Sequence, residues 1–174
     1  MVQERGKLLS AGEDQLRERL ELYVRHMAWL QAVPDDSKAK KTRYEILELE
    51  EEYFKQPSPL KQLPELTGFE MAYISHLQEF GFCSSNGMGL EPVSFSEIKA
   101  WADLQKIELE PFEARILHGL SVAYVAQANK STKPDSKSPY LPEEQEKRKA
   151  FAEKMRHEAL KERAKSNTKN KNRR

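Results

Sequence analysis

The sequence predicts an all-α protein: a small helical domain of about four to five helices, then a charged C-terminal helix and a disordered basic tail. Three observations carry this. Apolar residues recur at spacings of three and four along most of the chain, the mark of helices with one buried face. No stretch alternates apolar and polar residues over four or more positions, and 87–93 offers at most a local extended segment. Capping residues, a proline at a first turn and a glycine at an end fall at the edges of the periodic stretches.

The elements follow in order. The first helix, over 12–32, places Leu16, Leu20, Tyr23, Val24, Met27 and Leu30 on one face, and Pro34 stops it. After a charged loop, Tyr44, Leu47 and the Tyr53-Phe54 pair mark a weaker second helix, with an acidic run from Glu48 to Glu52 that reads as a solvated face. Pro57, Pro59 and Pro64 forbid a long regular element, so Leu60, Leu63 and Leu66 serve as anchors of a connecting segment. A third helix over 67–80 uses Phe69, Tyr73, Ile74, Leu77 and Phe80 and ends at Gly81; 82–92 reads as loop.

The fourth helix opens on Ser94, and Glu97 three residues on completes a capping box that satisfies two otherwise orphan backbone donors. Ile98, Trp101 and Ala102 point inward. Past the turn 106–110, Pro111 occupies a first helical position with Glu113 in the first turn, and Phe112, Ile116, Leu120, Ala123 and Tyr124 form a stripe. A polar, proline-containing break at 131–139 precedes a last helix whose large apolar residues are only Phe151, Met155 and Leu160. The organisation is a compact helical domain over 1–130 carrying the helical pair 94–128, a linker at 131–141, a charged, exposed helix at 142–165 and a disordered tail at 166–174.

At 174 residues and 38% apolar composition, one domain with a modest core and an appendage fits the length. The net charge of +1 hides an asymmetry, because 161–174 holds seven basic residues and one acidic, leaving −5 on the rest. Lone Cys83 excludes an intramolecular disulfide and suits a reducing cytoplasm. No apolar run reaches the roughly 18 to 20 residues of a membrane span, and the polar N-terminus offers no signal-peptide core, so no membrane association is expected.

Nothing isolates a catalytic dyad from the charged background, so no enzyme, cofactor or metal site is expected. His26, His76, His118 and His157 fall on separate helices without HxxxH or HExxH spacing and read as ordinary surface or boundary histidines. Gly87-Met88-Gly89 runs into Leu90-Glu91-Pro92 rather than into a helix, so it is a flexible turn and not a phosphate cradle. Cys83 reads as a half-buried loop cysteine. In the helix-turn-helix at 94–127 the second helix, 111–128, offers bases and phosphates only Arg115 and His118, which leaves the tail as the better electrostatic candidate for nucleic acid. A stripe richer in small residues than a core requires (Gly119, Ser121, Ala123, Ala126), helix-end aromatics and an acidic body suit a protein that packs on another protein; a self-contained core would use the same residues.

One segment has a family look. Gly87 and Gly89, Pro92, Ser94 with Phe95, Glu97-Ile98, Trp101, Leu109, Pro111-Phe112-Glu113, Leu120-Ser121 and Tyr124-Val125 stand in a pattern that resembles the tail assembly chaperones of long-tailed bacteriophages and prophages. That family often has Gly where Lys106 stands, Ser or Thr where Glu110 stands and Trp where Phe112 stands. The resemblance implies a non-enzymatic protein that binds the tape-measure protein and recruits tail-tube subunits in the cytoplasm of the bacterial host, absent from the mature virion. Self-association and nucleic acid are further candidate partners. In this reading Trp101, Phe112, Ile116, Leu120 and Tyr124 make the helical-pair core or its docking face, and Lys161, Arg163, Lys165, Lys169, Lys171, Arg173 and Arg174 an accessory electrostatic contact. The alternative is a small phage or regulatory nucleic-acid-binding protein acting through that tail.

Overall fold

Five α-helices, a 3-10 turn and a two-residue hairpin make up the described residues of a computed structural model, residues 2–143 with side chains from residue 12 onward. They are α1 (Val2–Gln31), α2 (Arg43–Phe54), the turn Pro59–Lys61, α3 (Gly68–Phe80), β1 (Ser84–Ser85) antiparallel to β2 (Leu90–Glu91), α4 (Phe95–Gln105) and α5 (Pro111–Ser131). The fold is predominantly α, as the sequence predicts. The chain divides into two units after Tyr140. Beyond its first two residues the helix expected at 142–165, and the whole tail with its basic residues from Lys161 to Arg174, lie outside the described residues.

Three helices start on the same device. Thr42 with Glu45, Thr67 with Glu70 and Ser94 with Glu97 each form a reciprocal capping box, the hydroxyl accepting from the N3 amide and the glutamate accepting from the cap amide. α1 starts ten residues before the expected Gly12, because a glycine inside a helix costs only about 1 kcal/mol and no proline stands upstream to stop it. The hairpin replaces part of the expected loop at 82–92, with Ser84 opposite Glu91 and Ser85 opposite Leu90.

α1 and α5 are the principal packed pair. Leu20 and Val24 of α1, Ile74 and Leu77 of α3, Ile98 of α4, and Leu117 and Leu120 of α5 are all but sealed from solvent and belong to one cluster. Leu66 packs against it, Leu60 against a smaller cluster of Trp29, Leu30 and Leu47, and Leu63 against both. The connecting segment is therefore anchored by its leucines, as the proline spacing suggests. Phe69 is a correction: it is 63% exposed, with only the edge of Tyr73 against it, because its position on α3 lies off the face that carries Tyr73, Ile74 and Leu77. Arg19 pairs with the buried Glu70 carboxylate at 3.0 Å and ties α1 to the start of α3.

Candidate docking surface

The hairpin is too short to stand alone, and α5 holds it at both feet. Ser121, fully buried, donates its hydroxyl to the Phe82 carbonyl at 2.7 Å and accepts the Val93 amide at 2.8 Å. One turn earlier His118 donates Nδ1–H to the Val93 carbonyl at 2.8 Å, with the Phe95 ring against it. One turn later Tyr124 stacks on Phe82 and donates its hydroxyl to Gln31 Oε1 at 2.6 Å. The Leu-Ser-x-x-Tyr run is thus a clasp joining α5, the hairpin and α1.

The residues singled out on the helical pair lie in the interior. Ile116, Leu120 and Tyr124 are buried, Trp101 is 8% exposed, and Phe112 is half-buried against the main cluster. Trp101 packs on His76 and Phe80 and donates Nε1–H to Glu79 at 3.2 Å. Of the five, Phe112 alone keeps a substantial part of its surface in solvent. α5 sets Ile116, Leu117, Leu120, Ser121, Ala123, Tyr124 and Val125 into the body, so its middle turns are engaged there rather than free to enter a groove of DNA.

A second constellation closes the body at its other end. Trp29 donates Nε1–H to the Ser136 carbonyl at 2.9 Å. His26, expected at a surface or boundary, is fully buried: its ring stacks on Trp29, meets the edge of Tyr140, and lies with Nε2 2.9 Å from the Leu60 carbonyl and Nδ1 3.1 Å from the Ser138 hydroxyl. A carbonyl can only accept, so Nε2 carries the proton, while Nδ1 lies beside a Ser138 hydroxyl that donates to the Tyr140 carbonyl at 2.7 Å. Burial holds the His26 pKa below its ordinary value, against the raising influence of the Leu60 and Gln62 carbonyls. Arg43 lies 5.1 Å over the Trp29 ring and donates to the Ser131 and Lys133 carbonyls at the C-terminus of α5, where a cation complements the helix dipole.

Catalytic chemistry finds little here. Burial pushes the Cys83 thiol up, away from the thiolate a nucleophile needs, and Tyr73 is pushed up to about 12, by burial first and the Glu113 carboxylate second. Among the described residues no group of three His, Cys, Asp or Glu side chains could hold a metal ion, and no helix is long and apolar enough to cross a membrane.

What the described surface does offer is an unfinished helix. Of α2 only Leu47 is buried; Leu49, Tyr53 and Phe54 are exposed, the last two ring to edge in solvent. A shallow groove beside it is lined by Lys41, Glu48, Leu49, Glu52 and Lys61, with Lys61 bonded to Glu51 at 2.7 Å. The acidic run from Glu48 to Glu52 is the solvated face that the sequence suggests, and the apolar positions among the acids are exposed as well, because Leu47 takes the helix's inward side. Met88 at the hairpin tip, Phe95, Leu104 and Val122 are exposed elsewhere.

Neither the curated proteins nor the solved structures contain a match to the chain. Residues 49–126, from within α2 to near the end of α5 and including the whole clasp, match the model of a family described as phage tail assembly chaperone.

Proposed function

We propose that the chain is a non-enzymatic chaperone of phage tail assembly that binds the tape-measure protein and recruits tail-tube subunits, acting in the host cytoplasm and leaving before the virion is finished. The family match over 49–126 carries this reading. The architecture supports it: a capped, clasped helical body that spends its strongest residues on itself and keeps apolar side chains of α2 in water suits a protein that shields an aggregation-prone helical client.

The test is co-expression with the tape-measure and tail-tube proteins encoded beside it, followed by pull-down at low and moderate salt. Capture of either that survives the salt step is the expected result, since apolar contact is screened little. Failure with both, alongside nucleic acid retained only at low salt, overturns the reading in favour of the basic tail.

A further inference from the structure

The exposed side of α2 has the register of half a coiled coil. Ile46, Leu49 and Tyr53 recur at i, i+3 and i+7, the a, d and a positions of a heptad, and lie on a face turned about 100 to 160° around the helix from the inward-facing Leu47. Leu49 is 48% and Tyr53 81% exposed, and Ile46 is half-buried without joining either apolar cluster. In the same register the flanking positions are Glu45 and Glu52 on one side and Glu50 on the other. Glu50 and Glu52 make no hydrogen bond or ion pair among the described residues, while Glu45 is engaged in its capping box through one oxygen.

Flanking charges select the partner of such a seam. A second copy of α2 would set glutamate against glutamate whether the two helices ran parallel or antiparallel, so self-pairing is opposed. Nucleic acid is repelled by the same carboxylates. The complement is a helix with an apolar a/d ridge flanked by Lys or Arg.

We propose that α2 is the docking helix for a basic-flanked amphipathic helix of a partner protein, which packs its apolar ridge on Ile46, Leu49 and Tyr53 and sets its cations against Glu45, Glu50 and Glu52. The inference rests on the chaperone reading only for the identity of the client; the docking is tested without it.

The full-length chain is titrated, by fluorescence anisotropy, with two synthetic three-heptad helices that share one Ile/Leu seam and differ only in Lys or Glu at the flanking positions. The Lys-flanked helix is expected to bind at least about tenfold tighter, a difference of about 1.4 kcal/mol. The double variant Glu50→Lys/Glu52→Lys spares Leu47 and the capping box, so its helicity and melting temperature should hold while its preference passes to the Glu-flanked helix. Leu49→Ser/Tyr53→Ser should lose both. Equal affinity for the two helices, no binding of either, a preference unmoved by the charge swap, or Lys-flanked binding that survives the serine pair sinks the proposal. So does a dimer of the parent chain that Leu49→Ser dissolves. A Lys-flanked helix that binds while neither the tape-measure nor the tail-tube protein is captured removes the chaperone reading and leaves the docking site; capture of the tape-measure protein by a chain that binds neither synthetic helix does the reverse.

Discussion

Lys106 adopts φ 57° and ψ 38°, the left-handed region that costs a residue with a Cβ about 1 kcal/mol or more. It does so to close α4: its amide donates to Asp103 at 3.3 Å and the Ile107 amide donates to Ala102 at 2.9 Å, a Schellman pair whose C′ position favours glycine. Lys106→Gly is therefore expected to stabilise the protein by roughly 0.5 to 1 kcal/mol, seen as a melting temperature higher by about 1 to 4 °C; no rise would mean that the lysine side chain contributes as much as its backbone costs. His26 makes a prediction with a sign. Its folded pKa is depressed below 6.5, so the stability it confers is whole above 6.5 and declines as pH falls from there toward the folded value. Glu45, Glu51 and Glu97, whose hydrogen bonds hold them below the usual carboxylate range, lose their contribution only under more acid conditions, as pH falls below 4.5. Urea midpoints measured from pH 7.5 to 5 should fall in the parent chain and flatten in His26→Gln; an unchanged slope would place the titration elsewhere.

Single elements depend on single side chains where the element is short. The hairpin relies on Ser121, and Ser121→Ala leaves the Val93 amide and the Phe82 carbonyl without that partner, at a cost of about 1 to 3 kcal/mol. Hydrogen exchange at Val93 should accelerate well before the α1–α5 amides respond; exchange that rises uniformly would mean that the clasp is part of the global core. Trp101→Ala, removing a buried ring from the α3–α4 contact, should cost about 3 to 5 kcal/mol on thermal melting. The α4–α5 pair was legible because its signals are local: the Ser94–Glu97 box, Pro111, and the spacing of Ile98, Trp101 and Ala102. The boxes at Thr42–Glu45 and Thr67–Glu70 carry the same signature and could have been read the same way. The burial of His26 could not, since its partners stand 34 and 112 residues away. The exposure of α2 was hidden for a related reason: whether Leu49 and Tyr53 face inward depends on where Leu47 finds its neighbours, Trp29 and Leu30.

Across the whole molecule, Arg43 joins three parts of the chain, lying over Trp29 of α1 while its guanidinium donates to two carbonyls at the end of α5. Both bonds leave one nitrogen, Nη2, which an ammonium could imitate; what a lysine lacks is the flat guanidinium over the Trp29 ring, so Arg43→Lys should destabilise the body by about 0.5 to 1 kcal/mol although the charge is kept; a lysine variant that melts with the parent would reduce Arg43 to a point charge. The bonds of this region also set a schedule. Tyr124 reaches Gln31 across 93 residues, Trp29 reaches Ser136 across 107 and Ser138 reaches His26 across 112. A helical protein of this size would ordinarily fold through near neighbours in the chain, yet here α1 must wait for α5 and the segment after it. At roughly 5 to 20 residues per second of synthesis, α1 spends on the order of 5 to 20 seconds with Leu20, Val24 and Trp29 uncovered before α5 and the segment through Tyr140 have left the ribosome. During translation, this protein is for a time itself a helix in need of cover.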